Sequence, residues 1–394
     1  MTRRLVRRAV PVCVLLVVLI AGSFLHATSV AHARTDPGRH EAGRGTPQTE
    51  VAQNASSARL QPDGSLSDIA GTAADDLWAV GQQSVWDVWM NRGVITHWNG
   101  SSWSEVGIRG DASGAAHLRS VAVAAPREVW TVGEGHDGLP YIAKGSVDGF
   151  DRVNVPQLRS GDWLGGVAAA TGRVVAVGNR NDKTFMAVTS GPTKGTVWTT
   201  AQGPDGVLYG VTITGKSDGW AVGDTGSQPL IMRLTGTGWK SVRLPAVKGG
   251  FLRDVYAGDR KHAMAVGGVY QGNGKIAPLV FEWDGKRWSR QDPPQHRAEL
   301  YGVSGNGDGT YWVSGYDPSH PSEGFVLRRH GSTWTTMRGH MASGDRIVRL
   351  QGVTRVADLT VAVGNVVDAD EHYTDVVERF GPPAAKDSAA ASSG

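Results

Sequence analysis

The chain has 394 residues with a formal net charge of +3, and it contains 54 glycines, 14 tryptophans and a single cysteine, Cys13. Residues 1–33 hold four arginines and no acid, so the rest of the chain has 36 basic and 37 acidic residues. This balance argues against a nucleic-acid or anionic-membrane partner, and the lone cysteine excludes a disulfide scaffold and a cysteine-ligated metal site.

The first element along the chain is an export signal over residues 1–33. Four arginines precede an apolar stretch from Ala9 to Leu25, and the small residues Ala31 and Ala33 suit a cleavage site. We therefore expect a secreted, extracellular protein that has no membrane span after the signal is removed. An uncleaved N-terminal anchor is the alternative, and twin-arginine export is the alternative to Sec export.

Two polar segments flank the rest of the chain. Residues 34–54 and 382–394 are rich in Gly, Pro, Ser, Thr and Ala and lack an apolar period. Such composition is typical of disorder, so we predict a disordered leader and a disordered tail. One repeat domain then spans residues 55–381.

A repeat of 44–52 residues fills this domain. Each copy opens with Leu-x-x-Val or a variant, continues with Trp-Ala-Val-Gly or a variant, and most copies close with Gly-x-x-Trp. The copies begin at Leu66, Leu118, Leu164, Leu208, Leu252, Leu300 and Leu350. A repeat of this length indicates one supersecondary unit that buries its apolar faces against its own neighbours.

The first six copies each contain four short strand signals, which are clearest in the fifth. There they cover residues 252–256, 263–267, 278–283 and 288–291, with a tight-turn signal at Asp284-Gly285. No window has apolar residues at helical spacing. The second strand is apolar on both sides of its pleat, as expected for a strand that is covered on both faces. We predict an all-β chain, a seven-bladed β-propeller of four-stranded antiparallel blades.

The seventh copy shows three strand signals and lacks the fourth. Upstream of the first copy, residues 57–61 resemble the fourth strand of another copy, residues 241–245. We therefore predict that residues 55–62 supply the outer strand of the last blade and close the ring. Deletion of residues 55–62 should destabilise the protein sharply, whereas deletion of residues 34–52 should do little.

The repeat resembles those of secreted actinobacterial-type β-propeller proteins, through Trp-Ala-Val-Gly at residues 78–81 and His-Trp-Asn-Gly-Ser-Ser-Trp at residues 97–103. The resemblance covers residues 57–381 and implies the fold, but no function. The chain is more distantly similar to kelch and galactose-oxidase-type propellers through Gly267-Gly268. It is also similar to sialidase-type propellers through the Asp-box-like turn at residues 284–288. The arginine cluster, tyrosine and acid of sialidase catalysis are not placed in this sequence, so the resemblance does not carry that activity over.

Candidate binding residues lie in the loops that join the second strand to the third, because such loops vary without cost to the core. Trp86 and Trp89 form the best pair, since flat aromatic faces stack on sugar rings or on peptide side chains. Tyr270, Asp317 and His320 are further candidates for ligand binding. The alternative for the tryptophans is that they pack down over the first blade.

The loop of the seventh copy carries the densest group of candidate metal ligands. Asp368, Asp370 and Glu371, followed by His372, offer the oxygen ligands that Ca²⁺ prefers. The spacing does not match an EF-hand, so a solvated acidic loop is the alternative. We expect no other cofactor.

Linear enzyme motifs are missing from the sequence. It contains no His-Glu-x-x-His, no Gly-x-Ser-x-Gly and no phosphate-binding loop. This favours a monomeric, non-catalytic binding or scaffold protein whose partner is a glycan or a cell-envelope protein. The alternative is an extracellular carbohydrate-active hydrolase or lyase, with carboxylates from several blades at the propeller mouth.

Overall fold

The structure, a computed structural model, describes residues 50–51, 54–87, 89–111, 114–190, 197–236 and 238–381. The predicted signal, most of the predicted leader and the predicted tail lie outside these residues. The described residues form strands, turns and loops. None of them belongs to a helix long and apolar enough to cross a membrane.

Thirty strands of the described chain form seven sheets, taken here in chain order. Two short strands come first: β1 (Glu50–Val51) and β2 (Asn54–Ser56). Blade 1 contains β3 (Ser65–Ala73), β4 (Asp76–Gln83), β5 (Arg92–Trp98) and β6 (Trp103–Glu105). Blade 2 contains β7 (Ile108–Arg109), β8 (Ala115–Ala125), β9 (Glu128–Gly135), β10 (Pro140–Ser146) and β11 (Gly149–Arg152). Blade 3 contains β12 (Trp163–Ala170), β13 (Arg173–Arg180), β14 (Lys183–Ser190) and β15 (Val197–Asp205).

The remaining blades follow the same plan. Blade 4 contains β16 (Val207–Gly215), β17 (Asp218–Asp224), β18 (Pro229–Thr235) and β19 (Gly238–Ser241). Blade 5 contains β20 (Gly250–Ala257), β21 (Ala263–Tyr270), β22 (Ile276–Trp283) and β23 (Trp288–Gln291). Blade 6 contains β24 (Glu299–Gly305), β25 (Thr310–Tyr316), β26 (Glu323–His330) and β27 (Thr333–Met341). Blade 7 contains β28 (Ile347–Val356), β29 (Leu359–Val367) and β30 (Tyr373–Phe380).

The blades are arranged as a closed ring. In each blade the main strands pair antiparallel in chain order, while β7 and β1 add short parallel pairs at the outer edges of blades 2 and 6. The innermost strands contact one another in the circle β3, β8, β12, β16, β20, β24, β28 and back to β3. This confirms the predicted seven-bladed β-propeller.

The N-terminal strand β2 closes the last blade, as predicted, by pairing antiparallel with β30. The paired residues are Asn54–Ser56, at the start of the expected segment and just before it. Beyond them the chain leaves the ladder, and Arg59 adopts a left-handed backbone with φ of 60°. The carboxylate of Asp375 then accepts hydrogen bonds from the backbone N–H of Ala58 at 2.5 Å and of Leu60 at 3.2 Å. Side-chain capping therefore replaces strand pairing over residues 57–60.

The opening Leu of each copy lies opposite the glycine that ends its Trp-Ala-Val-Gly motif or variant. The pairs are Leu66–Gly81, Leu118–Gly133, Leu164–Gly178, Leu208–Gly223, Leu252–Gly267, Leu300–Gly315 and Leu350–Gly364. The register of the innermost strand shifts immediately after each Leu, which makes a β-bulge. A Cβ on Gly178 would lie 1.7 Å from the carbonyl oxygen of Trp163. The repeat phrase therefore encodes a bulged inner strand that only glycine can face.

The cores lie between neighbouring blades, in seven apolar clusters. Trp220 of blade 4, for example, packs 4.9 Å from Trp283 and 5.0 Å from Trp288 of blade 5, measured between ring centres. Nine tryptophans recur at equivalent positions of the repeats; Trp78, Trp130, Trp198, Trp220, Trp288 and Trp312 are buried, and Trp103, Trp239 and Trp334 are half-buried.

Candidate functional site

The loops that join the second and third strands of blades 7, 1 and 2 contact one another on one face of the disc, here called the loop face. Nε1 of Trp86 donates a 3.0 Å hydrogen bond to the carbonyl of Glu371, and its ring lies edge-on to Tyr373 at 5.5 Å. On the other side, Nε2 of His136 lies 2.7 Å from the carbonyl oxygen of Asn91. We call residues 84–87, 89–91, 136–139 and 368–373 together the loop rim.

The loop rim exposes large apolar side chains. Trp89 is 86% exposed, Met90 70%, Trp86 46% and Leu139 37%. Trp86 packs sideways against blade 7, whereas Trp89 projects outward. The carboxylate of Asp87 accepts the backbone N–H of Trp89 at 2.9 Å and of Met90 at 3.0 Å. These hydrogen bonds form a local turn that fixes the backbone carrying both side chains.

The other predicted ligand-binding residues lie in blades 5 and 6. Tyr270 is exposed, and its ring packs against Phe251 with 4.7 Å between ring centres. Asp317 is buried; burial opposes its ionisation, but hydrogen bonds from Arg338 at 2.6 Å and from the Ser319 backbone prevail and lower its pKa. His320 lies 3.3 Å from the same carboxylate. Asp317 therefore stabilises its own loop.

The acidic loop of blade 7, residues 368–372, makes side-chain hydrogen bonds within itself and to Asp63. The carboxylate of Asp368 accepts backbone hydrogen bonds from Asp370 at 3.0 Å and from His372 at 2.9 Å. A hydrogen bond to Asp63 raises the pKa of His372. Among the described residues, no three His, Cys, Asp or Glu side chains are grouped so as to hold a metal ion. A Ca²⁺ site at Asp368, Asp370 and Glu371 stays a prediction.

A central channel of about 450 Å³ is lined by the innermost strands. Five of the seven residues that follow the bulges line it: Asp68, Ser120, Gly210, Asp254 and Gly302. Asp68 accepts hydrogen bonds from the Val121 backbone and the Ser120 hydroxyl, both at 2.9 Å. Asp254 accepts one from the Val303 backbone at 2.8 Å. Each carboxylate thus ties its blade to the next one.

The two channel carboxyls resist ionisation. Burial, followed by the nearby charge of Asp254, raises the pKa of Asp68 to about 7. Burial raises the pKa of Asp254 to about 6. Both residues are half-buried at the wall of the channel, where the surrounding blades limit their contact with water, and desolvation outweighs the backbone hydrogen bonds that favour the charged form. Both groups therefore titrate near neutral pH.

Sequence reasoning missed this carboxyl pair because its members are far apart in the chain. The available signal was Leu-x-Asp in the first and fifth repeats, where four other repeats have Leu-x-Gly. The presence of Asp in place of Gly at these two repeats indicates a site only when the structure shows that the residue after the bulge lines the channel.

Comparison with known proteins identifies the fold. No protein-family model and no curated protein matches the chain. A structure of YCF48 bound to D1 peptide aligns with a TM-score of 0.56 at 12% identity, covering 84% of this chain and 97% of that one. YCF48 from Cyanidioschyzon merolae aligns at 0.52 with 14% identity, covering 83% and 98%.

A glycoside hydrolase is similar to the same degree. The GH74 enzyme of Niastella koreensis aligns with a TM-score of 0.58 at 14% identity, covering 80% of this chain and 54% of the enzyme. The chain thus spans about half the length of that enzyme. At such identities the likeness shows the β-propeller fold alone, shared here by a peptide-bound protein and a hydrolase.

Proposed function

We propose that this chain is a secreted, non-catalytic binding propeller that takes an extracellular or cell-envelope protein on its loop rim. The supporting observation is the exposed group of Trp86, Trp89, Met90 and Leu139, carried by loops that brace one another. Exposed apolar side chains gathered in one region mark an interaction surface. Tryptophan and methionine are enriched in protein interfaces.

The aliphatic members of the rim favour a protein over a glycan. A sugar ring stacks on a flat aromatic face, but Met90 and Leu139 offer none. Flexible methionine and leucine side chains instead fill irregular apolar pockets of a partner protein. The YCF48 propeller was solved with a bound peptide, which agrees with this proposal at the level of the fold.

Substitution of both rim tryptophans tests the proposal. We expect Trp86→Ala/Trp89→Ala to weaken binding of its cell-envelope protein partner at least tenfold, since buried interface tryptophans contribute about 2 kcal/mol or more. The measurement is quantitative recovery of envelope proteins, then titration of the one that the wild type enriches, alongside a glycan array.

The matched control replaces two exposed valines on the opposite face, Val147→Ala/Val197→Ala, and should bind as the wild type does. Equal protein binding by the tryptophan variant would remove the rim from the proposal. If the tryptophan variant instead lost binding to a glycan on the array and kept its protein binding, the ligand of the rim would be a glycan.

One observation favours the hydrolase alternative: Asp68 and Asp254 line one channel with raised pKa values, as general acids do. The oxygens of each carboxyl, however, already accept hydrogen bonds from backbone N–H groups. Release of reducing sugar from a plant or bacterial polysaccharide by the wild type, and its loss in Asp254→Asn, would establish this alternative over the binding role.

A further inference from the structure

Stacks of a cation on an aromatic ring recur through the blades, and most of them include a carboxylate. Arg180 lies 4.1 Å from the ring centre of Phe185 and pairs with Asp162 at 2.5 Å. Arg329 is stacked in the same way on a tryptophan and pairs with Glu282 at 2.8 Å. A guanidinium withdrawn from water needs such an opposite charge. These arginines are structural.

Arg253 and Arg349 break this pattern, as does Arg379, which is stacked on Trp98. Arg253 lies between two rings, 5.3 Å from the centre of Phe251 and 4.9 Å from that of Tyr301. Arg349 lies 5.0 Å from the ring centre of Tyr316. Within the described part of the chain, neither guanidinium has a carboxylate at ion-pair distance. The aromatic rings hold both groups in place without satisfying their N–H donors.

Arg253 and Arg349 share one side of the channel mouth on the loop face. The charges of Arg253 and Arg349 both act on Tyr301, and those of Arg349 and the exposed Arg297 act on Tyr316. The neighbouring acid, Glu299, already accepts the Tyr301 hydroxyl at 2.7 Å. We call Arg253, Arg297 and Arg349 the arginine arc.

The arc opens onto the central channel. Arg253 and Tyr301 both line its cavity. Two acids, Glu299 and Asp317, act on the same tyrosines, and Asp317 is already paired with Arg338. The three guanidiniums from blades 5, 6 and 7 therefore leave a local excess of positive charge, although the domain as a whole is nearly neutral. A guanidinium fork matches a carboxylate geometrically, and ring stacking fixes its orientation in advance.

We propose that the arginine arc binds the carboxylates of an acidic protein segment at the channel mouth. The site lies in blades 5–7, apart from the apolar residues of the loop rim, and its preference for carboxylates follows from the arc alone. Only the choice of a protein segment over an acidic glycan rests on the proposed function. Several Asp or Glu side chains along one segment would occupy the place that Asp162 and Glu282 take beside the structural arginines.

The test uses a short fluorescent peptide in which glutamate alternates with glycine, and a matched peptide with glutamine. By fluorescence anisotropy at low salt, we expect the glutamate peptide to bind the wild type and the glutamine peptide to bind at least tenfold more weakly. Arg253→Gln/Arg349→Gln should weaken the glutamate peptide at least tenfold. The control Arg127→Gln/Arg287→Gln removes the same charge from exposed arginines on the opposite face and should stay within twofold of the wild type.

A thermal melt separates binding from structure. Because Arg253 and Arg349 have no acid partner, their double variant should melt close to the wild type, whereas Arg329→Gln should melt clearly lower. No binding of the glutamate peptide, equal loss in the control, or a melt as low as that of Arg329→Gln would overturn the proposal. Binding of trigalacturonate but not of the peptide would keep the carboxylate site and overturn the protein segment, and with it that part of the proposed function.

Discussion

Asp68 and Asp254 tether neighbouring blades through carboxyl groups that the channel solvates poorly. Their pKa values, about 7 and about 6, lie above the ordinary value of 3.8. The folded chain therefore keeps these protons at a pH at which the unfolded chain has lost them. Their contribution to the free energy of unfolding is greatest at low pH and falls as the pH rises from about 4 to about 7.

Asparagine at both positions removes this titration. We expect the free energy of unfolding of the wild type, minus that of Asp68→Asn/Asp254→Asn, to fall as the pH rises through this window. The fall should be at least about 1.4 kcal/mol, which corresponds to one pKa unit. Urea unfolding at a series of pH values measures it. A difference that does not change with pH would show that the two carboxyls have ordinary pKa values in the folded chain.

Within one element, the bulge opposite glycine links the repeat phrase to the channel. Strand positions followed from the sequence pattern: β23 covers Trp288–Gln291, the residues predicted for the fourth strand of the fifth repeat. The bulge could not be predicted, because alternation of apolar and polar residues shows that a strand exists but not where its pairing skips one residue. The register became known only from the structure, in which both paired strands are seen.

Two glycines of blade 4 test whether the position opposite the bulge requires glycine, one at that position and one away from it as a control. A Cβ on Gly223 would lie 1.8 Å from the carbonyl oxygen of Val207, whereas a Cβ on Gly215 would meet nothing within 4 Å. We expect Gly223→Ala to lower the free energy of unfolding by about 1–3 kcal/mol or more, as overpacking does, and Gly215→Ala to change it by less than about 1 kcal/mol. Chemical denaturation measures both, and similar values for the two variants would contradict the role of the bulge.

At the scale of the whole molecule, the ring is closed by contacts between the two ends of the described chain. Strand β2 pairs with β30, and Asp375 caps the backbone of Ala58 and Leu60. Loss of β2 and of residues 57–60 would expose the edge of β30 and loosen the interface between blades 7 and 1. The cluster that joins these blades includes Ala58 itself.

A chain that begins at residue 63 should therefore melt roughly 10 °C below one that begins at residue 50, since a domain of this size loses about 2–4 °C per kcal/mol. Asp375→Ala should lower the melting temperature in the same direction but less, because it leaves the β2 ladder intact. Calorimetry compares the three chains. Equal melting temperatures for the chains that begin at residues 50 and 63 would show that residues 50–62 do not hold the ring closed.

The amino-acid sequence by itself determined the architecture. Seven copies of one phrase indicate seven equivalent units. Six copies have four strand signals, and the missing fourth strand of the last copy pointed to the segment before the first. This inference worked because each blade folds from residues that are close together in the chain, so that local patterns carry it. The exposed Trp86 and Trp89 were also found from their place outside the repeat pattern.

Only the tertiary structure decided which residues share a site. Asp68 meets Asp254 in one channel, Trp86 meets Tyr373, and the arginine arc gathers residues from three blades. Ring closure brings these groups together across long stretches of chain, and no linear spacing records which loops of a disc will touch. Whether an arginine keeps an acid partner or lacks one is likewise settled by packing, because the partner comes from a different strand or blade.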